Sequence, residues 1–317
     1  MKTLFVPVFG GRGNQYFIVN AAIHVSSEFG FQKIVFLRRP GNIVADLADI
    51  NIHWSGESAE TIEKQELVLS SLFDRVLGKF INLQIRSRRV HSLSSKVVRF
   101  ISQFILSLIA LVRFNQMTGV FAPDNLGYSQ LPNFKRSTLI VGYFQSALYG
   151  QHVRKLYKNP KCSQELYDKD NSTKILLHVR RGDYRLNPEF GILAPAYYKK
   201  ILNQLLTRYK ISGIDIYSDE RFTDDDRASY VGELQKGIGV QIFCESDLNS
   251  EDSFASMVMG YGYYLIANSS FSYWSAIIGE LAETQVHCPK PWFKNIESPR
   301  ALYPSHWITV NSEFIVE

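Results

Sequence analysis

The sequence predicts an α/β protein built as two Rossmann-like domains, residues 1–165 and 166–317, facing each other across a cleft. Three observations predict it. A chain of 317 residues is longer than one hydrophobic core usually serves, so two domains are expected. The chain opens as strand, Gly-rich turn, helix and strand, which begins a parallel sheet. The same alternation restarts at residue 174, after a polar, interrupted stretch from Pro160 to Ser172 that reads as the inter-domain connection.

Taken in order, Thr3 to Phe9 is a buried-type strand, and Asn14 to Phe29 is a helix closed by Gly30. KIVFLRR at 33–39 is the next strand, and a helical pattern runs from Glu60 to Phe80. Residues 115–135 are rich in Asn, Gly and Pro and read as irregular, followed by a strand at Thr138–Gln145 and a helix at Ala147–Tyr157. In the second half, strands are expected at 174–179, 214–218, 240–244, 263–267 and 286–289. Helices are expected at 195–209, between 218 and 240, at 252–259 and at 271–282. Strands in this arrangement present ligands at their C-terminal ends.

Composition is that of an ordinary globular protein, with 45% hydrophobic and 21% charged residues, which excludes disorder at domain scale. A net charge of +5 suits an anionic small ligand, an anionic membrane surface or nucleic acid, and alone selects none of them. Cys162, Cys244 and Cys288 are odd in number and far apart, the usage of a reducing cytosol. The N-terminus has no small-residue cleavage site and reads as a first strand rather than a signal peptide. Phe100 to Val112 is the most lipid-like stretch, but thirteen residues of helix do not span roughly 30 Å of hydrocarbon. It is either a core helix or, with Arg86, Arg88, Arg89, Lys96 and Arg99 beside it, a segment resting on an anionic membrane.

Four segments carry chemistry. In HVRRGDY at 178–184, strand alternation puts His178 and Arg180 on one face and directs Arg181 and Asp183 elsewhere. Arg180 then suits a forked contact to a phosphate with His178 donating beside it, while Arg181 and Asp183 suit a pair that stiffens the loop. The bland alternative is a surface ion-pair cluster. In GGRGNQYF at 10–17, Gly11 and Gly13 match two of the three glycines of a dinucleotide fingerprint, and Arg38 and Arg39 stand where a 2′-phosphate would be gripped. Tyr16 in place of the third glycine argues against an NADP enzyme. The glycines better serve to bring backbone and Asn14 close to a sugar or diphosphate.

IYSDE at 216–220 places Ser218 and Asp219 just after a strand, where one carboxylate accepts both neighbouring donors of guanine, or simply caps a turn. LIANSSFSYW at 265–274 puts Asn268, Ser269, Ser270 and Ser272 at a helix N-terminus, an anion site or plain helix capping. Metal-binding patterns are poor. Asp168 and Asp170 precede a strand instead of ending one, Asp224 to Asp226 read as an acidic first helical turn, and no histidines have ligand spacing.

These residues resemble the α-1,2-fucosyltransferases of glycosyltransferase family 11, bacterial members especially. GGRGNQYF is similar to that family's N-terminal motif, and HVRRGDY to its H-x-R-R-x-D signature. Weaker matches follow in order: GYFQSALY at 142–149, LAPAYYKK at 193–200, YSDE, and ANSSFSYW at 267–274. Two departures from the family pattern are Arg12 for an apolar residue and Tyr16 for a common Met, both on the side where the resemblance implies the acceptor.

The resemblance implies a GT-B fold and inverting transfer of fucose from GDP-fucose with no cofactor and no divalent metal. The implied acceptor is the 2-OH of a galactose residue on a bacterial surface glycan or lipid-linked O-antigen precursor. By the same resemblance His178, Arg180 and Arg181 contact or support the phosphates, with Asp183 and Ser218 in the donor site. Asp219 meets guanine, Asn268, Ser269, Ser270 and Phe271 line the nucleotide site with Gly11 and Gly13, and Asn14 stands near the reacting centre. Another GDP-6-deoxyhexose remains an alternative donor, and an NADP-dependent oxidoreductase or a non-catalytic GDP-sugar-binding module an alternative class. The expected place is the cytoplasm or the inner membrane face, with contact through residues 86–113, and no nucleic-acid ligand is expected.

Overall fold

The computed structural model describes residues 1–38, 63–68, 72–86, 93–114, 118–157, 171–219, 223, 230–245 and 250–315. Arg39, Arg88, Arg89, Cys162, Asp168, Asp170, Asp224 and Asp226 lie outside them. The chain forms two compact units, Met1–Leu156 with Ser298–Pro304, and Tyr157–Glu297 with Ser305–Glu317.

The first unit runs β1 (Thr3–Pro7), α1 (Arg12–Phe29), β2 (Lys33–Arg38), β3 (Glu63–Val68), α2 (Leu72–Arg86) and α3 (Leu93–Phe114). It continues with β4 (Gly119–Phe121), β5 (Thr138–Ile140), a 3-10 turn at Ala147–Tyr149 and α4 (His152–Tyr157). The strands form one parallel sheet in the order β3-β2-β1-β5-β4. β1 is buried at all five positions, as a central parallel strand covered on both faces must be. Gly30, at φ 62°, ends α1 by donating its N–H to the Ser26 carbonyl.

On one face of this sheet, Leu77 and Ile81 of α2 and Leu106, Ile109 and Ala110 of α3 pack against Phe5, Val35, Leu37, Leu139 and Val141. Burial of each large aliphatic side chain there is worth about 1.5–3 kcal/mol, so these two helices are held by the core and not by propensity. The helix expected over 60–80 is corrected: residues 63–68 form β3, and the helix begins at Leu72. Glu63, Lys64, Gln65 and Glu66 are good helix formers, yet their backbone pairs in register with β2, and that pairing overrides propensity. The strand expected over 138–145 stops at Ile140, and Phe144 takes a left-handed φ of 54°.

Ser298–Pro304 joins this first unit. The Arg300 N–H donates to Asn125 Oδ1 at 2.9 Å, the Arg300 carbonyl accepts from the Tyr128 N–H at 2.9 Å, and Ser146 Oγ donates to the Ala301 carbonyl at 2.8 Å. A Cβ on Gly127 would lie 2.4 Å from the Arg300 backbone nitrogen, so only glycine allows this close approach.

The second unit runs β6 (Lys174–Val179), a 3-10 turn at Asp183–Leu186, α5 (Pro195–Arg208), β7 (Gly213–Ser218), the short α6 (Gly232–Gln235) and β8 (Ile242–Glu245). Then come α7 (Ser250–Met257), β9 (Tyr263–Leu265), α8 (Ser270–Gly279), β10 (Gln285–Lys290) and β11 (Ile308–Asn311), the last a strand that the sequence did not signal. All pair in parallel, in the order β11-β10-β9-β6-β7-β8. Counted within the unit from its edge at β8, that is the order 3-2-1-4-5-6 of a dinucleotide-binding fold, with the reversal between β6 and β9. Ligands in such sheets bind beyond the carboxyl ends of the two strands flanking the reversal. Ile175, Leu177 and Val179 of β6 pack under Tyr197, Tyr198, Ile201, Leu202 and Leu205 of α5, which fixes the direction in which β6 delivers the residues after it.

Candidate functional site

β6 ends at Val179, beside the end of β7 (Val179 pairs with Ser218 in register), and HVRRGDY continues straight from it. His178 is buried, with its ring 6.0 Å from the Phe271 ring of α8. Burial, with the neighbouring Arg180 charge adding to it, lowers the His178 pKa from 6.5 to about 3, so its imidazole is neutral. Its carbonyl accepts from the Tyr198 hydroxyl at 2.8 Å, while Nδ1 meets no hydrogen-bond partner. Arg181, directed to the opposite face as alternation requires, is buried with its guanidinium 5.5 Å from the Tyr230 ring centre.

Arg180 is clamped between two carboxylates. Its Nη2 donates to Asp183 Oδ1 at 2.6 Å, and its Nη1 lies 3.2 Å from Asp219 Oδ2. The guanidinium carbon stands 5.4 Å from the centre of the Tyr184 ring, and Nε is buried without a partner. The pair expected between Arg181 and Asp183 is thereby corrected: Arg180 holds Asp183. Alternation no longer applies beyond Gly182, where a 3-10 turn swings Asp183 back over the residue three before it.

Asp219 organises this turn from the end of β7. Its Oδ1 accepts the Arg181 N–H at 2.8 Å, while Oδ2 faces Arg180. A Cβ on Gly182 would sit 2.6 Å from that same Oδ2, so the glycine admits the carboxylate to the loop. Both oxygens of the residue predicted to meet guanine are thus engaged with the loop.

The turn from β9 to α8 closes the group. The Tyr184 hydroxyl donates to the Asn268 carbonyl at 2.6 Å, and burial raises its pKa well above 10. Asn268 spends its Nδ2 on the Phe190 and Gly191 carbonyls, at 3.0 and 2.9 Å, and its buried Oδ1 has no partner. Ser269 is the N-cap of α8, accepting the Phe271 N–H at 3.3 Å, and Ser272 donates back to the Ser269 carbonyl at 3.1 Å. Plain capping therefore accounts for Ser269, and Ser272 is occupied by the carbonyls before it, whereas Ser270 opens the helix half-exposed.

The structure thus brings together His178, Arg180, Arg181, Asp183, Asp219, Asn268, Ser269 and Phe271, with Ser218 and Ser270 adjacent in chain. Tyr184, Tyr198 and Tyr230 are the residues that sequence reasoning left without a role. The signal for two of them was present, since Tyr184 and Tyr198 fall inside the quoted motifs.

Asn14, Gly11 and Gly13 belong to the first unit. Gly11 precedes α1 with open space where a Cβ would be, Gly13 is buried, and Asn14 lies in the first turn. Asn14 Oδ1 accepts from Gln145 Nε2 at 2.8 Å, which leaves its amide hydrogens as donors, and Gln145 Oε1 is buried without a partner. These residues cap β1 and the segment after β5, the neighbours at which this sheet's order reverses. Among the described residues no group of three or more His, Cys, Asp or Glu is placed to hold a metal ion.

No protein-family model matches the chain. It is 25% identical over 192 residues to the O-antigen biosynthesis glycosyltransferase WbnK of Escherichia coli, covering 58% of this chain and 61% of that protein. It is 25% identical over 177 residues to an alpha-1,2-colitosyltransferase of Escherichia coli, covering 52% and 59%. The matched stretch therefore spans about three-fifths of the length of these curated relatives. Among solved structures, the Escherichia coli heptosyltransferase WaaC with ADP-2-deoxy-2-fluoro heptose superposes with a TM-score of 0.44 at 8% identity, over 97% of this chain and 92% of that one. A family 9 glycosyl transferase from Veillonella parvula superposes with a TM-score of 0.47 at 9% identity, over 100% and 88%.

Proposed function

We propose that this chain is a GT-B-type glycosyltransferase that moves a 6-deoxyhexose, fucose first among them, from its GDP-linked donor to a sugar hydroxyl. The observation that carries the reading is the reversal point of the second sheet. There Arg180 Nε and His178 Nδ1 are buried and unsatisfied at the C-terminal end of β6, beside the helix that Ser270 opens. An unmet buried polar group costs about 1–3 kcal/mol, so these are atoms a ligand is expected to satisfy. A cation, a neutral imidazole and a helix N-terminus together suit a diphosphate.

In an inverting displacement, negative charge gathers on the leaving β-phosphate. Arg180 and the start of α8 stabilise it, the task a metal ion performs in other transferases. Asp219 we read as the brace that holds Arg180 and the Arg181 N–H in place. The exposed Asp183 contributes a pair worth at most about 1 kcal/mol, weak enough for Arg180 to exchange it for phosphate.

The relatives named as an O-antigen glycosyltransferase and a colitosyltransferase favour a cell-surface glycan as acceptor and widen the donor from fucose to related 6-deoxyhexoses. The test is to incubate the protein with GDP-fucose and galactosides, with and without EDTA, and follow both GDP release and the glycoside formed. A fucosylated product in both conditions supports the reading in full, and an α-1,2 linkage in it would fix the acceptor hydroxyl. Turnover only with another GDP-6-deoxyhexose keeps the class and corrects the sugar. Turnover that EDTA abolishes would refute the metal-free mechanism, and no turnover with any GDP-sugar would refute the proposal.

A further inference from the structure

α3 is apolar on two opposite sides. One side carries Leu106, Ile109 and Ala110, all buried against the first sheet. At 3.6 residues per turn, Val97, Phe100, Ile101, Phe104, Leu108, Leu111 and Val112 fall on the reverse side. Every one of them is exposed: Phe100 is 75% accessible, Val112 66% and Phe104 61%. A stripe from 97 to 112 is about 22 Å long at 1.5 Å per residue, and α2, packed alongside α3, adds exposed Val76 and Leu83. Soluble chains scatter exposed apolar residues singly, so a continuous stripe of large side chains marks a surface that is covered.

The surrounding charge says by what. α3 contains no acidic residue, and across residues 72–114 eight Lys or Arg face a single acid, Asp74. Among the described side chains Arg75, Lys79 and Lys96 are exposed on these two helices. No helix among the described residues is long and apolar enough to cross a membrane, and the side of α3 that carries Leu106, Ile109 and Ala110 is already committed to the core. An amphipathic helix with a bulky apolar face and an excess of cations lies in the plane of an anionic bilayer surface.

We infer that α3 and α2 dock the protein onto an anionic lipid surface, with Phe100, Phe104 and Leu108 entering the headgroup–acyl boundary and Lys79 and Lys96 meeting lipid phosphates. This docking stands apart from the nucleotide reading, because none of these residues belongs to the donor site. A protein resting on the membrane meets lipid-linked acceptors there by diffusion in two dimensions.

The experiment is co-sedimentation of the full chain with vesicles of mixed phosphatidylglycerol and phosphatidylethanolamine, and with vesicles of phosphatidylcholine alone. The wild type is expected to pellet with the anionic vesicles and to remain in solution with the neutral ones. Phe100→Glu/Phe104→Glu is expected to weaken anionic binding about tenfold or more, as is Lys79→Glu/Lys96→Glu, both with unchanged melting temperature and unchanged turnover on a soluble acceptor. Sedimentation velocity of the same proteins reads the competing occupant. A wild-type dimer that the phenylalanine variant dissolves, without vesicle binding, would make the stripe an interface between copies and overturn the inference. Equal binding to neutral and anionic vesicles, or none to either, would also overturn it.

Discussion

Arg180 Nη2 and Asp183 Oδ1 stand 2.6 Å apart across one turn of chain, and the same guanidinium lies 3.2 Å from Asp219. One arginine thus serves two carboxylates that differ in exposure, with Asp183 55% and Asp219 13% accessible at the side chain. The exposed pair is the exchangeable one, since solvent-facing ion pairs are worth at most about 1 kcal/mol. Asp183→Asn is expected to leave turnover within a few-fold of wild type and to tighten GDP binding by up to roughly fivefold, because the phosphate loses a competitor. Titration calorimetry and steady-state kinetics measure both. A fall in kcat of about a hundredfold with unchanged GDP affinity would instead make Asp183 the general base.

Gly182 separates structural from functional damage. The nearest atoms to a Cβ there are those at the end of the Asp219 side chain. Gly182→Ala is expected to move that carboxylate, release the Arg181 N–H and weaken GDP binding, while the melting temperature changes little. At Gly127 the added Cβ would strike the backbone of Arg300. Gly127→Ala is therefore expected to lower stability by about 1–3 kcal/mol without altering GDP affinity per folded molecule. Thermal denaturation read beside calorimetry distinguishes the two.

Tyr184→Phe removes the hydroxyl that ties the loop to Asn268 and leaves that carbonyl unmet inside the protein. The expected cost is about 1–3 kcal/mol of stability. Because the loop loses its tie to the start of α8, the donor KM should rise as well. A variant with normal stability and normal KM would show that the two segments do not act together.

Stability should fall on mild acidification. Burial holds His178, His152 and His287 at pKa values of about 3, 4 and 4, against 6.5 in an unfolded chain. Between those values the unfolded state binds more protons than the folded one, so folding weakens as pH drops from about 6.5 towards 4, and these three histidines add no pH dependence above about 7. For the fully buried His178 the slope is up to about 1.4 kcal/mol per pH unit. Melting curves from pH 8 to pH 4.5 check this, and His178→Gln should flatten the acid limb.

The sequence makes legible those features that local rules decide. Buried β1 and β6, the Gly30 cap of α1 and the divergence of His178 from Arg181 all follow from composition and alternation. What stayed hidden depends on distant partners. Glu63–Val68 reads as helix because its residues favour helix, and only its place at the sheet edge makes it a strand. Alternation pairs Asp183 with Arg181, whereas Arg180 holds it because a turn begins at Gly182, beyond the reach of strand alternation. Ser298–Pro304 gives no sign that it returns to the first unit, since its bonds reach back to Asn125 and Tyr128. The apolar stretch at 100–112 posed core against membrane, and the helix has one face buried and the other bare.

The central claim is that the loop at 178–184 holds the diphosphate of a guanine nucleotide through Arg180. It is tested most directly by the melting temperature of wild type and Arg180→Ala with GDP, UDP, CMP or NADP. The account predicts that GDP alone raises the wild-type transition, that EDTA leaves the shift intact, and that Arg180→Ala folds but loses the shift together with about 10²–10³ in turnover. Stabilisation by UDP or NADP and not by GDP, or an Arg180→Ala protein that keeps the full GDP shift, would contradict it.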